Sequence, residues 1–216
     1  NPEIQEAKKK HIPIVSRADM LSELMKNKKC IAIAGSHGKT TTTSLVGNIL
    51  ESGKLDPTIV NGGIINSLSK NNKFGKGKWM VVEADESDGS FLKLPHEISI
   101  ITNLDIEHLD YYKTPKKLYS SFEKFIMNLP FYGTSIVNED DKNLKKIIQK
   151  NDTRKIITFS TKNKKSNVFV DTIHFDKQYS HFTLNFNFLD DKLSRSYSYK
   201  LKASGLHNIY NGAASI

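Results

Sequence analysis

The chain carries 216 residues, 38% of them hydrophobic and 25% charged, enough for one good core with an appended piece, and its single cysteine, Cys30, excludes an internal disulfide. No apolar run of about 18 residues is present and the first residues form neither a signal nor a transit peptide, so neither membrane nor export is indicated and a cytoplasmic location is expected. The net charge of +9 raises nucleic acid as a partner, but the lysines are scattered ("KKK" at 8–10, "KNKK" at 26–29 and 162–165) without interleaved aromatics or a groove-reading helix, and a solvated basic surface is expected instead.

Residues 1–28 hold a lysine-rich start, a strand at "IPIV" and a helix over "SRADMLSELMKN", whose Met20, Leu21, Leu24 and Met25 share one face. This is too little for a domain, and the start at Asn1-Pro2-Glu3 without an initiator methionine makes a piece of something longer the expectation. Next, "IAIA" reads as a strand, with Cys30 before it as a packed core thiol without catalytic role. A helix follows from Lys39 to Glu51, stopped by Gly53, then strands at "WMVVE" (79–83) and "ISIIT" (98–102), with glycine-rich or acidic loops between. "TPKKLYSSFEKFIMNL" sets Thr114 as N-cap and Pro115 at the first helical position, with Leu118, Phe122, Phe125, Ile126 and Leu129 at helical spacing. "TSIV" (134–137), a helix through Leu144, Ile147 and Ile148, and "KIITF" (155–159) continue the alternation.

Strands separated by helices predict a three-layer α/β domain with a mostly parallel sheet, covered on both faces. Beyond residue 160 the pattern alternates, with Phe182, Leu184, Phe186 and Phe188 on one face and a turn at Asp190-Asp191, which predicts a small antiparallel sheet appended to the main one. A last helix begins at "GLHNIYNGAASI", and the chain is expected to be cut inside it.

The stretch "IAIAGSHGKTTTTSL" (31–45) brings a strand to a glycine-flanked turn and then a helix N-terminus, where free N–H groups and the helix dipole favour an anion. Lys39 would reach the β- and γ-phosphates and the Thr40 hydroxyl would ligate Mg²⁺. Ile33 stands where the usual phosphate loop has its first glycine, leaving G-x-x-G-K-T. Two further strand exits carry chemistry: "VVEADESDGSF" releases Glu83, Asp85, Glu86 and Asp88, and "ITNLDIEHLDYY" carries Asn103, Asp105, Glu107, His108 and Asp110. In an open α/β sheet, ligands gather at the carboxyl ends of strands, so Glu83 is expected near the loop as a Mg²⁺ ligand and His108 as a second ligand. Taken singly, an acidic loop or a lone histidine is more often plain surface.

"AGSHGKTTTTSL", "EADESDGSFL", "ITNLDIEHLDYY", "NLPFYG" and "GLHNIYNGAASI", in this order, resemble the central domain of the Mur ligases. Residues 1–28 resemble the end of that family's N-terminal, Rossmann-like UDP-binding domain, and residues 29–216 its ATP-binding domain, with the C-terminal domain absent. The resemblance implies an ATP-dependent amide ligase of peptidoglycan synthesis. The "EADESD" wording, with Ser87 where a tripeptide-joining relative tends to carry tyrosine, implies UDP-N-acetylmuramate and L-alanine as substrates. It further implies that Gly35, Ser36, His37, Gly38, Lys39, Thr40 and Thr41 cradle the ATP phosphates. Lys39 would offset charge on the migrating phosphoryl group, Thr40 with Glu83 would hold the first Mg²⁺, and His108 the second. His207, Asn208 and Asn211 match the adenine-binding positions. The piece by itself is expected not to ligate. The alternatives are another Mur-type or folate-type ligase, whose amino-acid pocket would lie in the absent domain, a phosphate-loop ATPase acting on nucleic acid, and an idle nucleotide-binding domain.

Overall fold

The computed structural model describes residues 1–65, 70–151, 153–187 and 195–216. The elements are α1 Pro2–Lys9, α2 Arg17–Met25, β1 Lys29–Ala34, α3 Lys39–Ser52, β2 Thr58–Ile65, β3 Lys70–Lys73, β4 Trp79–Glu83, a 3₁₀ turn Ser90–Lys93, β5 Ile98–Ile101, α4 Leu109–Tyr112, α5 Pro115–Met127, β6 Thr134–Asn138, α6 Lys142–Ile148, β7 Lys155–Ser160, β8 Val168–Phe175, β9 Ser180–Phe186, β10 Arg195–Leu201 and α7 Leu206–Ser215.

The strands of the described residues form one sheet in the order β10-β9-β8-β7-β6-β5-β1-β4-β2-β3. From β2 to β7 neighbouring strands run parallel. β1 lies in the middle and is apolar on both faces, as a strand covered on both sides must be. Its Cys30, Ala32 and Ala34 pack with Met25, Val82, Phe122 and Phe125 beneath α2, α5 and α6. Ile31 and Ile33 face the other way, onto Val46 of α3 and Ile209 and Ala213 of α7. These are the expected three layers.

The caps act as the sequence indicates. Thr114 accepts a hydrogen bond from the Lys117 amide at the start of α5, with Pro115 at the first helical position, and Gly53 caps α3. Three expectations need correction. "IPIV" forms no strand: residues 12–15 are irregular, with Ile12, Ile14 and Val15 exposed. The lysine-rich start is instead helical, as α1, capped by the Asn1 side chain. The shared face of α2 splits, since Met25 is buried and Leu21 packs against the core while Met20 and Leu24 stay exposed. The segment after Pro57, read as loop, contributes β2 and β3, because a parallel edge at β4 was open to pair with Thr58–Val60. The antiparallel strands are appended to the main sheet as expected: β8 pairs in parallel with β7 through Phe159↔Val168 and Ser160↔Phe169, and β9 and β10 extend it. Phe182 and Leu184 are buried in the second core as expected, whereas Phe188 and the Asp190-Asp191 turn lie outside the described residues.

Candidate active site

β1 lies between β4 and β5, so the carboxyl ends of these three strands are adjacent and their exits converge. Ile33 is part of β1, which runs to Ala34, and the turn that follows is therefore short. Gly35 (φ 132°) and Gly38 (φ 84°) hold it in left-handed conformations. A Cβ at Gly35 would lie 2.2 Å from the Thr102 hydroxyl and 3.0 Å from the Asn103 carbonyl oxygen, so that position requires glycine for space as well as for backbone; at Gly38 the left-handed backbone is what requires it, with the Asn211 amide 2.4 Å from where a Cβ would lie.

Asn103 clamps the turn. Its Oδ1 accepts from the His37 amide at 2.8 Å and its Nδ2 donates to the His37 carbonyl at 2.8 Å, while the Thr102 hydroxyl donates to that same carbonyl at 2.6 Å. Ser36 joins the next stretch, accepting at Oγ from the Asp105 amide at 2.9 Å. The His37 ring is exposed and faces Asp105 (3.3 Å) and Glu107 (3.4 Å). Helix α3 starts at Lys39, and its first amides lie beyond the reach of any preceding helical carbonyl. Of the four threonines, Thr40 faces the site, Thr41 is exposed, and Thr42 and Thr43 are buried in the domain.

The Thr40 hydroxyl donates to Glu83 Oε2 at 3.1 Å, and that oxygen also accepts from the Gly62 amide at 2.8 Å. The "NGG" of β2 thus belongs to the site: a Cβ at Gly62 would come within 3.0 Å of Glu83, and Asn61 Nδ2 donates to the Thr40 carbonyl at 3.2 Å. Lys39 Nζ donates to the Gly35 carbonyl at 2.7 Å and to both oxygens of Glu86, at 3.1 and 3.0 Å. Glu86 is fully buried, and burial pushes its carboxyl up against the lowering pull of Lys39. His108 opens α4 in a left-handed conformation, with Nε2 3.9 Å from Glu86 Oε1. Cys30 is remote from this chemistry: burial pushes its thiol up to about 12, and Sγ donates to the Met25 carbonyl.

Among the described residues no group of three or more His, Cys, Asp or Glu converges as a ready metal cage. Mg²⁺ does not require one, because it keeps waters and takes one or two carboxylates together with substrate phosphates. The hard-oxygen pair Thr40 and Glu83 fits that donor set.

A cleft of about 410 Å³ adjoins the turn. His37, Gly38, His207 and Asn211 line it, while the Asn208 amide donates to the Ser204 carbonyl at 2.8 Å and is not among the lining residues. Sequence reasoning missed Asn138, Asp140, Asp141, Lys162 and Tyr210, which also line it. The polar run "NEDD" after the apolar strand at 134–137 carried the same signal that singled out Glu83 and His108. Asp140 Oδ2 accepts from the Thr161 amide (2.7 Å) and hydroxyl (2.8 Å) and from the Tyr210 hydroxyl (2.9 Å), tying α7 to the β6 and β7 exits.

Residues 33–216 match the family model described as the Mur ligase middle domain. The UDP-N-acetylmuramate–L-alanine ligase of Agrobacterium fabrum is 44% identical over all of this chain and 46% of its own length. The chain spans about half the length of the curated relatives it matches. Among solved structures, the UDP-N-acetylmuramate-alanine ligase MurC of Thermotoga maritima superposes with a TM-score of 0.81 at 29% identity, over 100% of this chain and 47% of that one. The MurF ligase of the same organism, solved in complex with ADP, shares the fold, with a TM-score of 0.69 at 19% identity over 94% of this chain and 48% of that one. With its glycine turn after β1, its strand order and a family-model match extending from β1 to the last residue, the chain belongs to the Mur ligase middle-domain family.

Proposed function

We propose that this chain is the ATP-binding, phosphoryl-transferring domain of a ligase that joins L-alanine to UDP-N-acetylmuramate. The observation that carries the reading is the convergence of Lys39, Thr40, Glu83, Glu86 and His108 on the exits of three adjacent strands, at the N-terminus of α3. The substrate identity is supported by the relatives, whose names specify this pair and which match the whole chain. Residues 1–28 are read as the tail of a preceding UDP-binding domain, docked by buried Met25 and by the Lys93–Asp19 ion pair at 2.8 Å. The location is read as cytoplasmic because ATP is the substrate; no helix among the described residues is long and apolar enough to cross a membrane.

In this reading a carboxylate oxygen of the sugar nucleotide attacks the γ-phosphorus of ATP and ADP leaves. The alanine amine then attacks the acyl carbon of the acyl phosphate, and phosphate leaves. Such steps need alignment and charge neutralisation more than covalent help from the protein. The turn from Gly35 to Thr41 orients the phosphates with its amides, and Lys39 offsets charge on the group in transfer. His207 and Asn211, which line the cleft, take the adenine, whereas Asn208 is engaged with the Ser204 carbonyl. Thr40 and Glu83 would hold Mg²⁺, which when bound neutralises phosphate charge, and His108 would hold a second cation.

The test is phosphate release by the full-length protein given ATP, Mg²⁺, UDP-N-acetylmuramate and one of L-alanine, glycine, L-serine or the cell-wall tripeptide, with each component omitted in turn. Release is expected only when both the sugar nucleotide and L-alanine are present. Release indifferent to the sugar nucleotide would sink the ligase reading.

A further inference from the structure

The geometry points to Glu86 as a positioning residue that acts through Lys39, holding its ammonium along the turn and competing with phosphate for it; this inference rests on the nucleotide reading above. An ammonium has three protons. Those of Lys39 are aimed at the Gly35 carbonyl (2.7 Å), the Ser36 carbonyl (3.4 Å) and the two Glu86 oxygens (3.0 and 3.1 Å). The lysine side chain is 13% exposed and the carboxylate 0%.

Glu86 is itself held from behind. Its backbone carbonyl accepts from the Tyr112 hydroxyl and from the Gly89 amide. A buried carboxylate is tolerated only when paired, so this anchoring keeps a negative charge where it fixes the direction of Lys39. Phosphate entering the turn therefore meets a lysine that already has an anionic partner, and a carboxylate of its own sign behind it. Glu86 weakens ground-state affinity for the nucleotide while keeping Lys39 aligned for the transfer step, a division that favours turnover over tight product binding. A carboxylate that served only to hold the loop together would support affinity and turnover alike.

The experiment is titration of ADP, without added metal, into the full-length protein by calorimetry, with kcat read in the same protein. Glu86→Gln keeps the shape and removes the charge. It is expected to bind ADP about tenfold tighter and to turn over about tenfold more slowly, the scale of one charge-assisted hydrogen bond. Affinity unchanged or weakened in Glu86→Gln overturns the inference, as does an undiminished kcat. Should Glu86→Gln not fold, Glu86→Asp draws the charge back by one methylene and is read the same way: several-fold tighter ADP supports competition, and unchanged or weaker binding overturns it. Wild-type full-length protein that binds no ADP would overturn the nucleotide reading itself, and this inference with it, before any variant is compared.

Discussion

Lys39 is joined to a carboxylate with no solvent exposure, and that pairing makes the residue structural as well as chemical. Lys39→Met would leave Glu86 buried without its partner, which costs about 3–5 kcal/mol when one member of a buried pair is removed. Urea unfolding should register this loss, and adding Glu86→Gln to the same chain should recover most of it; unchanged stability in Lys39→Met would refute the pairing. The sequence made Lys39 and Thr40 legible because a lysine and a hydroxyl at a strand-to-helix turn have a phosphate meaning. It did not make Glu86 legible among Asp85, Glu86 and Asp88, since all are carboxylates in one loop. Asp85 and Asp88 are exposed and cap their own turn through the Ser87 and Ser90 amides, whereas Glu86 alone of the three turns inward. Which carboxylate turns inward depends on Tyr112 and Lys39, far away in sequence.

At the scale of elements, the phosphate turn is set by two left-handed glycines and gripped by three neighbours: the β5 exit through Asn103, β2 through Asn61, and α7 through Asn211. Gly38→Ala would place a Cβ 2.4 Å from Asn211 Oδ1 at φ 84°. A strained residue of that kind costs about 1–3 kcal/mol. The variant should melt earlier and lose ADP binding by calorimetry, because the left-handed backbone strains the new side chain and the Asn211 amide must swing out of its place in the cleft; retention of both properties would show that the turn is not fixed as described. Helices α3 and α5 were readable because their caps and apolar spacing are local. "IPIV" misled because a short apolar run needs a neighbouring strand, and among the described residues none pairs with residues 12–15. β2 was missed for the opposite reason: Asn61-Gly62-Gly63 looks like a loop, yet Gly62 is small because the Glu83 carboxylate approaches its backbone.

Over the whole molecule, the Asp140 network joins the β6 exit, the β7 exit and α7, and so fixes the wall of the cleft opposite the phosphate turn. Burial acts to raise the Asp140 carboxyl, but hydrogen bonds from Ser160, Thr161 and Tyr210 outweigh it and hold the group below its ordinary value. A depressed carboxylate contributes stability above the unfolded value of about 3.9, and that contribution is lost as pH falls through the folded one. Asp140→Asn should therefore be less stable than wild type near pH 6, with the gap in urea midpoint closing as pH falls below about 4; a gap independent of pH would remove Asp140 from the acid response. By itself the sequence determined the layered α/β class, the caps of the main helices and the glycine turn between β1 and α3, because propensity, periodicity and short motifs act over a few residues. Only the tertiary structure decided that β8 joins the main sheet by a parallel pairing with β7, that Glu86 rather than its acidic neighbours holds Lys39, and that Asn103, Asp140 and Tyr210 shape the site. Those outcomes depend on contacts between segments dozens of residues apart, where burial makes an unpaired polar group costly and so selects its partner.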